Sequence, residues 1–373
     1  MGAMALLVLL AGNAVPAVAA GQLYVTLSDA AAVAVIDVAG GEVTATIPTG
    51  QYPRDIAIDR NRGLGYVGYS GDGDEPGGID VIDLRTGRVT RTIAVDGAIR
   101  DLALDASGSR LHVLTRSPDA VTVRDAVSDA ILAIVALDVP THDAPARLAV
   151  GVDGNDYVLY AYDGTVLIVD TGAAVVSGEL PNRDDLIPSG IAYDARDGAL
   201  YIANGAWRSD FLPPQADIVT VLDTRGAAAP ASIAVGGQVM DVAVDPAARR
   251  LFAAAWRQLA VVDTDPLAVI ATVPLASDDA SRVVYDATAG RAYLSHPEHD
   301  LLSVVDVDSA SQVATIALPG RPAEMALLPA APSGDIAPHP LPASRPVLLA
   351  LLGLGIGAIA AGFLGRGRKA RRG

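Results

Sequence analysis

From Leu23 to about residue 329 the chain is a succession of short runs that are either apolar throughout or alternate apolar and polar residues with period two. Val43-Thr-Ala-Thr-Ile47 and Val89-Thr-Arg-Thr-Ile93 alternate. Val33-Ala-Val-Ile-Asp37 and Val166-Leu-Ile-Val-Asp170 are apolar up to a terminal Asp. Both patterns are rich in β-branched residues and predict half-buried strands. Turn formers such as Arg62-Gly63, Ser107-Gly108, Asp197-Gly198 and Ala289-Gly290 separate the runs and predict hairpins.

The runs recur in register. An apolar run ending in Asp appears seven times, at Asp37, Asp83, Asp125, Asp170, Asp223, Asp263 and Asp306, with spacings of 46, 42, 45, 53, 40 and 43 residues. Each period holds four runs, here a to d. Run b carries one aromatic or imidazole residue every time: Tyr24, Tyr66, His112, Tyr157, Tyr201, Phe252 and Tyr293. Repeats of this length with four short strands predict an all-β, seven-bladed β-propeller of four-stranded blades. The first strand, at Leu23, is of type b, and the last, 323–328, is of type a. The last strand should therefore complete the blade that the first three begin and close the ring, leaving no open edge.

Outside the repeats, residues 1–20 read as a signal peptide, with an apolar stretch at 4–12 running into Ala17-Val-Ala-Ala20. The propeller occupies 21–329 and a Pro/Ala-rich linker 330–346. Residues 347–365 carry no charge and predict a transmembrane helix, and the basic tail 366–373 should stay cytoplasmic. These features place the propeller outside the cytoplasm, in the periplasm or on the cell surface, anchored to the membrane. With no Cys, neither disulfides nor a thiolate metal site is available. The formal net charge of −16 argues against nucleic acid as a partner.

Candidate chemistry is sparse. His296-Pro-Glu-His299 reads as a solvated loop more than a metal cluster, since zinc needs three or four convergent ligands. Ser70-Gly-Asp-Gly-Asp-Glu-Pro-Gly-Gly78 reads as an acidic insertion lacking the ligand spacing of a calcium loop. The repeated aspartates read as turn caps and His112 as a packed residue. Arg54, Arg100, Arg147, Arg282 and Arg321 recur where strand a begins and could converge at the channel mouth on a carboxylate or anionic glycan, or pair with neighbours such as Asp55 and Asp101. The long insertion 205–216, with Trp207, Arg208 and Phe211, falls on the same face as a candidate partner loop. No residue is assigned to catalysis, a cofactor or a metal; no Gly-x-Ser-x-Gly elbow occurs, while a Ser-His-Asp arrangement stays open.

Leu23-Tyr-Val-Thr26, the Val-x-Val-Ile-Asp marker and Thr46-Ile-Pro-Thr-Gly50 resemble the YVTN repeats of YncE-like and surface-layer-type seven-bladed propellers. That resemblance implies the fold and leaves activity open, because such proteins include lone envelope proteins and quinoprotein subunits. Propellers of that group that hold a quinone cofactor carry a Trp in nearly every blade, and this chain has two. Pro340-Leu-Pro-Ala343, followed by the Gly-rich apolar segment and the Arg cluster, resembles PEP-CTERM-like sorting tails, which implies either a plain anchor or processing by a sorting enzyme. The expected function is a binding or scaffold module for a protein or glycan. A lactonase-like or quinoprotein-associated enzyme and a structural surface-layer component are the alternatives.

Overall fold

A computed structural model of the chain describes residues 21–71, 77–137, 145–160, 164–180, 182, 187–205, 217–226 and 228–330. The expected signal peptide, transmembrane helix and tail lie outside these residues, as do Trp207, Arg208 and Phe211 and most of the acidic insertion. Among the described residues no helix is long and apolar enough to cross a membrane.

The described residues form twenty-eight strands in seven antiparallel four-stranded sheets. Blade 1 contains β1 (Gln22–Leu27), β2 (Ala32–Asp37) and β3 (Glu42–Pro48). Blade 2 is β4 (Pro53–Asp59), β5 (Leu64–Tyr69), β6 (Gly78–Asp83) and β7 (Arg88–Ala94). Blade 3 is β8 (Ala98–Leu104), β9 (Arg110–Arg116), β10 (Ala120–Asp125) and β11 (Ile131–Ala136). Blade 4 is β12 (Pro145–Val150), β13 (Asn155–Tyr160), β14 (Val166–Asp170) and β15 (Val175–Leu180). Blade 5 is β16 (Pro188–Asp194), β17 (Ala199–Asn204), β18 (Ile218–Asp223) and β19 (Ala231–Ala234). Blade 6 is β20 (Val239–Asp245), β21 (Arg250–Ala255), β22 (Gln258–Thr264) and β23 (Leu267–Pro274). Blade 7 is β24 (Val283–Asp286), β25 (Arg291–His296), β26 (Leu301–Asp306) and β27 (Ser311–Ala317). The last strand, β28 (Pro322–Leu328), pairs with β1, Leu23 opposite Leu327 and Val25 opposite Met325, so it is the innermost strand of blade 1.

Seven apolar cores lie one between each pair of neighbouring blades. Leu23, Val25 and Leu27 pack against Tyr293, Leu302 and Val304 of blade 7, while Tyr24, Val33 and Val35 pack against Ile56, Val67 and Ile82 of blade 2. The alternating faces of one strand thus feed two different cores. This explains why strands b and c read as continuously apolar and why a single blade could not be stable alone. All seven residues of the strand-b slot are buried. Two of them reach the next blade: Tyr66 Oη donates to Ala126 O of blade 3 (2.7 Å), and His112 Nδ1 lies 2.7 Å from Asp156 Oδ2 of blade 4.

The seven strand-c aspartates cap the turns that follow them. Thr86 N donates to Asp83, Ser128 N to Asp125, Ala173 N to Asp170 and Ser309 N to Asp306, with the same arrangement at Asp37, Asp223 and Asp263. Gly50 shows why the Thr-Gly ending of strand d is needed: a Cβ there would enter the Tyr69 ring, which fills the space between Gly50 and Gly78.

Candidate functional site

The innermost strands β4, β8, β12, β16 and β20 share one irregularity. Each carries a register shift against its strand-b neighbour, between Pro53 and Asp55, Ile99 and Asp101, Pro145 and Arg147, Pro188 and Gly190, and Val239 and Asp241. A bulge interrupts the alternation of faces and re-aims the residues around it. β28 shifts likewise between Pro322 and Met325. The residue after each of the five bulges, with Glu324 of β28 and Arg282 in blade 7, forms an inner ring: Asp55, Asp101, Arg147, Gly190, Asp241, Arg282 and Glu324.

Ring members tie one blade to the next. Asp55 Oδ2 accepts from Leu102 N, Asp101 Oδ2 from Leu148 N (2.7 Å) and Asp241 Oδ2 from Val283 N (3.1 Å). Arg147 does something different. Its Nη1 donates to Glu324 Oε2 at 3.0 Å, although blades 2 and 3 separate the two residues in the ring, so the bond crosses the axis. Arg282 Nε stands 3.1 Å from the same oxygen, and Arg147 Nη1 is 3.8 Å from Asp101 Oδ2. Blade 5 contributes Gly190, where a Cβ would overlap the Asp241 carboxylate; Ser189 Oγ donates to Val239 O instead (3.0 Å).

Four carboxyls and two guanidiniums share this enclosed space. Burial pushes the Asp55 carboxyl well above its usual range, and the adjacent Asp101 adds to the effect. Burial lifts Asp241 to about 6, with Arg282 opposing. Burial works against the Arg147 charge, but Glu324, Asp101, Asp241 and Asp55 together raise its pKa.

Arg54 and Arg100 are the bulged residues themselves and turn away from the ring. Arg54 is exposed, with Nε 2.5 Å from Ser70 Oγ; Arg100 is half-buried and has Arg116, at the end of β9, as a further cationic neighbour. Burial, then Arg54 and Arg116, push the Arg100 guanidinium down. Arg321 stands apart from both groups, its Nη2 2.6 Å from Glu298 Oε1. The five candidate arginines thus occupy three places: Arg54 and Arg100 at the mouth, Arg147 and Arg282 in the ring, Arg321 on a neighbouring loop.

A Ser-His-Asp chain does form in blade 7. His296 Nε2 is 2.9 Å from Ser303 Oγ, and His296 Nδ1 is 3.0 Å from Asp279 Oδ1. Ser303 and His296 are 0% exposed, so no substrate reaches the hydroxyl, and the chain acts as a strap between the loop before β24 and strands b and c. Blade 5 builds a comparable strap from Asn182, Asn204 and Thr220. His296 is therefore an interior residue and not part of a solvated loop. His299 remains exposed, and with Asp278 and Asp279 it is the one group among the described residues with metal-ligand geometry. Asp279 Oδ1 is already engaged by both histidines, which leaves few free lone pairs.

The ring was not legible as a site in the sequence. Its signal was present all the same: a charged residue directly before the Ile, Leu, Val or Met that opens the apolar run of strand a in six of seven repeats, at Asp55, Asp101, Arg147, Asp241, Arg282 and Glu324. Arg116 and Asp279 have no repeat-level signal.

No protein-family model matches the chain, and no curated protein matches it in sequence. Solved structures do. Hydrazine synthase of Kuenenia stuttgartiensis is similar over 76% of this chain and 92% of its own, with a TM-score of 0.65 at 14% identity. A protein from Lactobacillus plantarum is similar over 83% of this chain and 99% of its own, with a TM-score of 0.65 at 13% identity. Dihydro-heme d1 dehydrogenase NirN is similar over 79% of this chain and 63% of its own, with a TM-score of 0.57 at 13% identity. At these identities the likeness is one of fold, and the fold is the seven-bladed β-propeller with four-stranded blades.

Proposed function

We propose that the protein is an exported, envelope-anchored propeller of the YVTN-repeat type. It acts as a binding or scaffold module whose partner, a protein or glycan, is engaged by the face that carries the b–c and d–a loops. The observation that carries this reading is the contrast between two parts of the same molecule. The axis is crossed by the Arg147–Glu324 pair and the Ser303–His296–Asp279 chain is sealed, whereas the loop-bearing face presents Arg54 and Arg116 to solvent. The apolar segments 4–12 and 347–365 and the basic tail support the exported, anchored topology. An enzyme-subunit reading gains only fold-level support from hydrazine synthase and NirN.

The test is co-sedimentation of the full-chain protein with envelope fragments. The wild type should sediment saturably, and the double substitution Trp207→Ala/Phe211→Ala should weaken binding at least about fivefold, the loss expected of aromatic interface anchors. Failure of the wild type to sediment, together with turnover in a hydrolase, lactonase and redox screen, would replace this reading with the enzymatic one. Lattice-like self-association at high abundance would replace it with the surface-layer one.

A further inference from the structure

We propose that Arg54, Arg100 and Arg116 form a receptor for a single oxyanion group, carboxylate or phosphate, carried by an otherwise neutral ligand. The inference rests on the reading of the loop-bearing face as the binding face and names the chemistry it selects.

Several arginines elsewhere in this acidic protein find carboxylates, while Arg124, Arg196 and Arg225 donate to backbone carbonyls. Arg62 pairs with Asp59, Arg91 with Asp129, Arg250 with Asp263 and Arg321 with Glu298. None of the three mouth arginines has an ion pair among the described residues. Among the described residues, the side-chain partner of Arg54 is the neutral Ser70 hydroxyl. Arg100 Nε is buried and has no hydrogen-bond acceptor. Among the described residues the charged groups facing Arg100 are Arg54, Arg116 and Asp119, and Asp119 Oδ1 already accepts from Ser117 N at 3.2 Å. An orphaned donor among like charges is unfavourable in the free protein, and a bound anion would relieve both defects.

The fold holds these groups together. Arg54 and Arg100 sit at equivalent bulges of the neighbouring strands β4 and β8, which orient both alike. Gly97, at φ +91°, lets the loop before β8 close on the end of β9: a Cβ there would lie 2.8 Å from Arg116 O. Guanidinium forks suit the two oxygens of a carboxylate or phosphate. The net charge of −16 repels polyanions at range, so the ligand presents one anionic group on a neutral body.

Calorimetric titration of the full-chain protein with inorganic phosphate, glucuronate and glucose tests this. Saturable binding of phosphate or glucuronate, with none of glucose, is expected, and whichever anion binds more tightly identifies the group. Arg100→Gln should weaken that binding at least about tenfold without lowering the ligand-free Tm. Arg85→Gln, on the opposite face, should leave binding unchanged. Absence of saturable anion binding overturns the proposal. So does an equal loss in Arg85→Gln, which would mean an adventitious ion only, or a Tm drop of several degrees in Arg100→Gln, which would mean that the cluster is neutralised within the chain. Anion binding without envelope co-sedimentation would leave this site standing and sink the broader function. Co-sedimentation without anion binding would sink this site alone.

Discussion

At the scale of single residues the inner ring sets the behaviour of the molecule. Asp241 has a folded-state pKa raised from 3.8 to about 6, so the folded state favours its protonated form. Its contribution to stability is fully present below the unfolded value and is lost as pH rises through the folded one. Unfolding free energy measured by urea titration should therefore decline between about pH 4 and pH 6 from this residue, and Asp241→Asn should flatten that part of the profile; an unchanged slope would refute the assignment. Glu324 holds both ring arginines. Removing one partner of an enclosed ion pair leaves an uncompensated charge, so Glu324→Ala should cost about 3–5 kcal/mol in the same assay. A loss within about 0.5 kcal/mol would show that the pairing is solvent-screened and incidental. What the sequence hid at this scale was direction. Arg54 and Arg147 look alike on paper, but a one-residue bulge sends Arg54 to the mouth, while Arg147 sits in the slot of Asp55 and Asp101 and reaches the axis.

At the scale of strands and turns, nearly everything was readable. Period-two alternation marked strand d, such as β3 and β7, because one face of these outer strands meets solvent. Continuous apolar runs marked strands b and c because both of their faces meet cores. The terminal aspartates marked turns because their carboxylates accept the next backbone N–H groups, each such bond being worth about 0.5–1.5 kcal/mol net. The straps were not readable: His296 looked like part of an exposed His-Pro-Glu-His loop, since its partners Asp279 and Ser303 come from a preceding loop and the next strand. The bulges of β4, β8, β12, β16 and β20 likewise leave no mark in a hydrophobicity pattern, because they insert one residue without changing which neighbours are apolar.

At the scale of the whole molecule, closure organises the rest. β28 and β1 come from opposite ends of the propeller, yet they pair directly, and the core between blades 7 and 1 is built like the six others. The inner ring exists only because that closure brings Glu324 opposite Arg147 and beside Arg282. The offset between a b-type first strand and an a-type last strand made closure legible, while the chemistry at the mouth needed three dimensions. The chain contains no cysteine, so an engineered pair has no competing thiol. The most direct measurement is oxidation of the Val25→Cys/Met325→Cys double variant, whose positions face each other across β1 and β28. The ring predicts a single intramolecular disulfide in the monomer, formed to near completion and raising Tm. Free thiols or only intermolecular dimers would contradict it.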